Sequence, residues 1–206
     1  MKWIYHISND DRYRYALGEI QDKPSKLLFV FGINPSKATP EKLDPTARRI
    51  QLIAKEHGYD SWIILNVSAQ RATNPNDMFE TQEVQNKDNL KNIMTLLNEY
   101  CECSDILFAY GDLIGKRDYL KKNLCEIISA IKTNEYKGNC YCLGKTKKGN
   151  ARHPLYQKVS TPFVPYTLEG HTYSEIFSLE DGRCAIRECS DNGDLISEVF
   201  GICNSK

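Results

Sequence analysis

The chain is 206 residues long, and its 27 lysines and arginines are matched by 27 aspartates and glutamates. That length suits one domain with a sizeable core, and a net charge of zero gives the whole chain no general attraction for nucleic acid, though a local patch can still have one. No apolar stretch approaches the roughly twenty residues of a membrane span.

The amino-terminal run, Met1 to Asp11, turns polar too soon for a signal peptide. A cytoplasmic protein is expected, with its eight cysteines as reduced thiols. Trp3 to Ser8 and Tyr13 to Ile20 are β-prone segments joined by Asn9-Asp10-Asp11, which predicts a hairpin.

Leu27 to Ile33 is an unbroken apolar run closed by Gly32-Ile33-Asn34-Pro35-Ser36. It reads as a buried central strand. Pro35 stiffens the exit and biases Asn34 towards an extended backbone, so Asn34 is presented at the strand tip. In open α/β sheets that is where ligands bind. The alternative is an ordinary strand exit with a turn-forming asparagine.

Asp44-Pro45-Thr46 is a helix start, with Asp as the cap and Pro at the first helical position. Gly58 stops that helix. Arg48 and Arg49 fall in its first turn, where a phosphate site or two solvated arginines are the two readings. Ser61 to Val67 is a second apolar strand, and Asn66 occupies in it the place that Asn34 holds in the first. Arg71 lies in the polar loop that follows.

Helices are predicted over 86–100 and 119–132, from apolar residues at helical spacing. Strands are predicted over 105–110 and 139–143. Gly144 to Lys158 then carries Lys145, Lys147, Lys148, Arg152 and Lys158 with no acidic residue, a local anion-attracting surface. His153 sits inside it, as a site residue or a structural histidine. The chain is expected to divide into an α/β domain over 1–160 and a β-rich appendage over 161–206, where Glu180-Asp181-Gly182 signals a hairpin turn. Cys101-x-Cys103 and Cys140-x-Cys142 lack the spacing of a zinc knuckle, so structural thiols and no metal are expected.

Alternating strands and helices predict a mainly parallel sheet covered on both faces. Arg12-Tyr13-Arg14-Tyr15, Asn34-Pro35-Ser36, Asp44 to Arg49, Asn66, Arg71-Ala72-Thr73 and Arg152 to Tyr156 together resemble the bacterial and phage domain-of-unknown-function family 1643, over about residues 10 to 160. More distantly, Gly32 to Pro35, Ile63 to Asn66 and His153-Pro154 resemble three motifs of the uracil-DNA glycosylase-like superfamily. That second resemblance implies a three-layer α/β/α fold and cleavage of an N-glycosidic bond; some branches carry iron–sulfur clusters, but the cysteine spacing here differs from theirs, so no cofactor is expected.

On that resemblance Asn34 would position the attacking water and Asn66 would read the edge of a base. Ser36 would line the pocket, and His153 would donate to a carbonyl oxygen of the departing base. Leu155 would wedge into the base stack. Arg48, Arg49, Arg71, Lys145, Lys147, Lys148 and Arg152 would hold phosphates. The implied partner is a nucleic acid or a nucleotide. A non-catalytic nucleotide or nucleic-acid binding module, or an interaction protein recruiting a partner through its tail, is the alternative. The sequence leaves the oligomeric state open.

Overall fold

The computed structural model describes residues 1–81, 84–178 and 183–202. Strand β3 (Leu27–Gly32) forms where the apolar run demands burial on both faces, and Leu27 to Phe31 are fully buried. β4 (Ser61–Asn66) is buried along its whole length and pairs with β3 in parallel, so that Gly32 lies opposite Asn66. β5 (Ser104–Phe108) pairs in parallel with the other side of β3, and β6 (Cys140–Cys142) follows β5. The four strands predicted as a parallel set are therefore parallel.

The sheet as a whole is mixed, which corrects the expectation of a mainly parallel one. Its order is β1-β2-β4-β3-β5-β6-β7, with β1 (Lys2–Ile7), β2 (Arg14–Ile20) and β7 (Val164–Pro165) all antiparallel to their neighbours. The hairpin β1–β2 extends the sheet beyond β4. Gly18 makes this possible: a Cβ there would lie 2.3 Å from the Trp62 carbonyl oxygen and 2.7 Å from Ile63 Cα. Once docked, β2 is a core strand, with Ala16, Leu17 and Ile20 fully buried.

Alternate residues of each strand face opposite sides. Phe29, Phe31, Ile63, Leu65 and Phe108 share a core with α2 (Val84–Glu99) and α3 (Asp118–Thr133), through Ile93, Leu97, Leu124 and Ile128 among others. Leu28, Val30, Ile64 and Leu107 share the second core with α1 (Pro45–Glu56), through Ala47, Ile50, Ile53 and Ala54. Each fully buried Leu, Ile or Phe contributes about 1.5–3 kcal/mol of burial.

β8 (Thr172–Ser178), β9 (Arg183–Ser190) and β10 (Leu195–Ile202) form a separate antiparallel sheet. Ion pairs from Lys122 to Glu175 and from Lys132 to Asp191 tie it to α3. The turn expected at Glu180-Asp181-Gly182 lies outside the described residues. Among the described residues no helix is long and apolar enough to cross a membrane.

Candidate functional site

The parallel register places Gly32 and Asn66 side by side at the carboxyl ends of β3 and β4. A Cβ at Gly32 would lie 2.9 Å from Asn66 Oδ1, so the glycine leaves the room in which the Asn66 amide lies. The chain exits stay zipped together: the Val67 N–H donates to the Gly32 carbonyl and the Ser68 N–H to the Ile33 carbonyl, each at 2.9 Å. Asn89 on α2 donates to the Asn66 carbonyl at 2.9 Å and fixes the tip from behind. Asn66 is 2% exposed, and its Nδ2 has no partner among the described residues.

Asn34 is oriented by its donor side. Nδ2 donates to the Ala72 carbonyl at 2.8 Å and to its own neighbour, the Pro35 carbonyl, at 3.1 Å. Among the described residues nothing donates to its Oδ1, so the side chain offers an acceptor. Ser36 Oγ lies 3.2 Å from Thr73 Oγ1.

His153 arrives from the loop after β6. Gly111, just past β5, has φ +70, and a Cβ on it would lie 3.2 Å from His153 Cβ. The Gly111 N–H donates to the Ala151 carbonyl at 2.8 Å, which fastens the histidine segment to that exit. His153 caps the short turn Pro154–Tyr156, its Nδ1 accepting from the Leu155 N–H at 3.3 Å. An accepting Nδ1 leaves the ring proton on Nε2. Burial lowers the imidazole pKa, and the nearby Asp44 carboxylate opposes that effect.

Asn34, Ser36, Asn66 and His153 line one cavity of about 70 Å³, together with Gly32, Asp44, Thr46 and Arg14. That is small beside the roughly 300–1,000 Å³ of typical ligand clefts. The residues it unites come from separate segments of the chain.

The sequence assigns no site role to two of the charged residues in this lining. Arg14 is 3% exposed, with Nη1 donating to the Ala38 carbonyl at 2.8 Å and Nε unpartnered among the described residues. Burial pulls its pKa down to about 10, which leaves it charged at neutral pH, and Asp44 favours the charged form. Arg14 stands inside the Arg-Tyr-Arg-Tyr motif, but a β-hairpin arginine carries no sign of which face it takes. Asp44 reads from sequence only as a helix cap. It is one, with Oδ1 accepting from the Ala47 N–H at 2.8 Å, and Oδ2 has no partner among the described residues.

The remaining candidates lie away from the cavity lining. Arg71 is paired with Asp11 at 2.7 Å and with the Tyr5 hydroxyl at 3.1 Å. Arg48 is exposed, with Nε donating to the Leu43 carbonyl, and Arg49 is half-buried on α1. Lys145, Lys147 and Lys148 belong to a loop that Asp112 holds through Thr146 Oγ1 and Asn150 Nδ2, both at 2.7 Å. Arg152 donates from Nε to the Lys145 carbonyl within the same loop. Leu155 is half-buried, and its neighbour Tyr156 is 83% exposed.

Among the described residues no group of three or more His, Cys, Asp or Glu side chains is placed to hold a metal ion. Cys101, Cys103, Cys140 and Cys142 are free thiols, and burial pushes Cys140 up to about 12.

A family model described as "Protein of unknown function (DUF1643)" matches residues 14–155. The chain belongs to this DUF1643 family. The matched span opens on Arg14 and closes on Leu155, two residues past His153, so it takes in every residue that lines the cavity. No curated protein and no solved structure matches the chain.

Proposed function

We propose that this DUF1643 protein recognises a nucleobase, within a nucleic acid or a nucleotide, and hydrolyses its N-glycosidic bond. The observation that carries this reading is the convergence of Asn34, Asn66 and His153 on one cavity. These residues belong to the three motifs that resemble the uracil-DNA glycosylase-like superfamily, and a residue at the wrong strand end would stand about 15–20 Å away. The sheet with α1 on one side and α2 and α3 on the other is compatible with the three-layer arrangement of that superfamily.

The chemistry follows from which atoms are free. Asn34 offers Oδ1 alone, which orients a water without deprotonating it. Asn66 offers Nδ2 to an acceptor on the edge of the base. His153 offers Nε2–H, a neutral donor to a carbonyl oxygen whose charge grows as the base departs. The lysine loop, on the segment that leads into His153, supplies attraction for phosphates.

The test is a panel of base-modified oligonucleotides and nucleotides incubated with the protein and assayed for free base. Release of a base by wild-type protein, strongly reduced in His153→Ala, supports the reading. Binding with no release from any member of the panel replaces it with the non-catalytic binding module.

A further inference from the structure

Among the described residues, Arg14 is the one arginine or lysine that lines the cavity, and no carboxylate there forms an ion pair with it, although the Asp44 carboxylate in the same lining favours its charge. Buried charges in proteins are as a rule paired. Arg14 is only 3% exposed, yet its guanidinium makes a single described hydrogen bond, to the Ala38 carbonyl. No ion pair to it is formed among the described residues. Arg71, whose charge it also feels, is neutralised by Asp11. Asp44 shares the cavity but forms no ion pair with Arg14, and one of its oxygens is held by the Ala47 N–H. Asn66 adds a second buried donor without a partner, Nδ2, on the same cavity wall.

We infer that Arg14 is a charge reserved for the ligand, and that the cavity binds a planar ring as its anion, with the Arg14 guanidinium and the Asn66 amide donating to it. This rests on the glycosidic reading and adds a catalytic group to it. In that step the water oxygen bonds to the sugar C1′ while the bond from C1′ to the base nitrogen breaks. The electron pair of that bond goes to the base, which leaves as an anion, and the water's proton passes to solvent. A neutral His153 donates one hydrogen bond to that anion but brings no charge. Arg14 brings the charge, from a position only 3% exposed, where screening by solvent is weak. Its planar fork of donors suits two acceptors lying in the plane of a ring.

The test needs no turnover. The full chain is titrated with barbiturate, a planar ring already anionic at neutral pH, with uracil, a neutral ring of similar outline, and with inorganic phosphate. Wild-type protein should bind barbiturate about 10- to 100-fold more tightly than uracil, the range expected for hydrogen bonds to a charged group. Arg14→Gln should bring barbiturate down to the level of uracil. Arg14→Lys, which keeps the charge and loses the fork, should retain part of the preference, and it serves if the glutamine variant does not fold. Equal binding of the two rings, no binding of barbiturate, or displacement of barbiturate by phosphate at similar concentration would each overturn the inference. Barbiturate preference without base release from any oligonucleotide or nucleotide removes the glycosylase reading and leaves this one standing. Base release without that preference does the reverse.

Discussion

His153 carries its proton on Nε2 because the Leu155 N–H occupies Nδ1. Its pKa is held below the ordinary 6.5, chiefly by burial. An unfolded chain therefore binds this proton more readily than the native one as pH falls below about 6.5. The corresponding stability is fully present above that value and is lost as pH drops towards the native pKa. Thermal unfolding of wild-type protein should show this loss, and His153→Asn, which keeps a capping side chain, should flatten it. If the pocket is catalytic, His153→Ala should lower turnover by on the order of 10²–10³ with a smaller effect on binding, as for loss of one oxyanion donor. Asn66→Ala should change which base is accepted, measured as a shift in the ranking of the panel. Asn34 and Asn66 stand out in the sequence because they mark the ends of apolar runs, and His153 because it lies in the basic loop after the last predicted core strand. Arg14 and Asp44 do not, since what makes them members of the site is a pairing across the sheet and the direction of a cap.

At the scale of elements, the hairpin β1–β2 is where local sequence says least. Its two strands and their turn can be read from β-propensity, but nothing local says that a hairpin will add to the far side of β4. Gly18 is the physical answer, and it predicts a consequence. Gly18→Ala would press a methyl group into the Trp62 carbonyl, a backbone atom that cannot swing aside. A loss of roughly 1–3 kcal/mol or more is expected, read from the urea midpoint. Because β2 carries Arg14, the same variant should also weaken barbiturate binding. The start of α1 gives the contrasting case. Asp44→Asn keeps a competent cap and Asp44→Ala does not, so only the alanine variant should cost about 1 kcal/mol of stability. A similar change in ligand binding in both would assign that part of Asp44's role to its charge.

For the whole molecule, a zero net charge means that any attraction for a polyanion must come from local arrangement. Replacing Lys145, Lys147 and Lys148 together by Gln should weaken binding of an oligonucleotide. It should also lower the slope of log affinity against log salt by up to about 0.7 for each single-strand phosphate that is no longer neutralised. An unchanged salt series would remove this loop from the interface. The way the loop is mounted adds one more consequence. Asp112 grips it through Thr146 and Asn150, and the residue before it, Gly111, is packed against the His153 side chain and bonded to Ala151. Two adjacent residues thus form a common axle for an outer handle and an inner ring. A ligand that displaced the lysine loop would therefore load the residue next to the one that packs on His153. The histidine resonances of the intact protein should then respond to a short oligonucleotide that reaches the loop alone, and Asp112→Ala should disconnect the two.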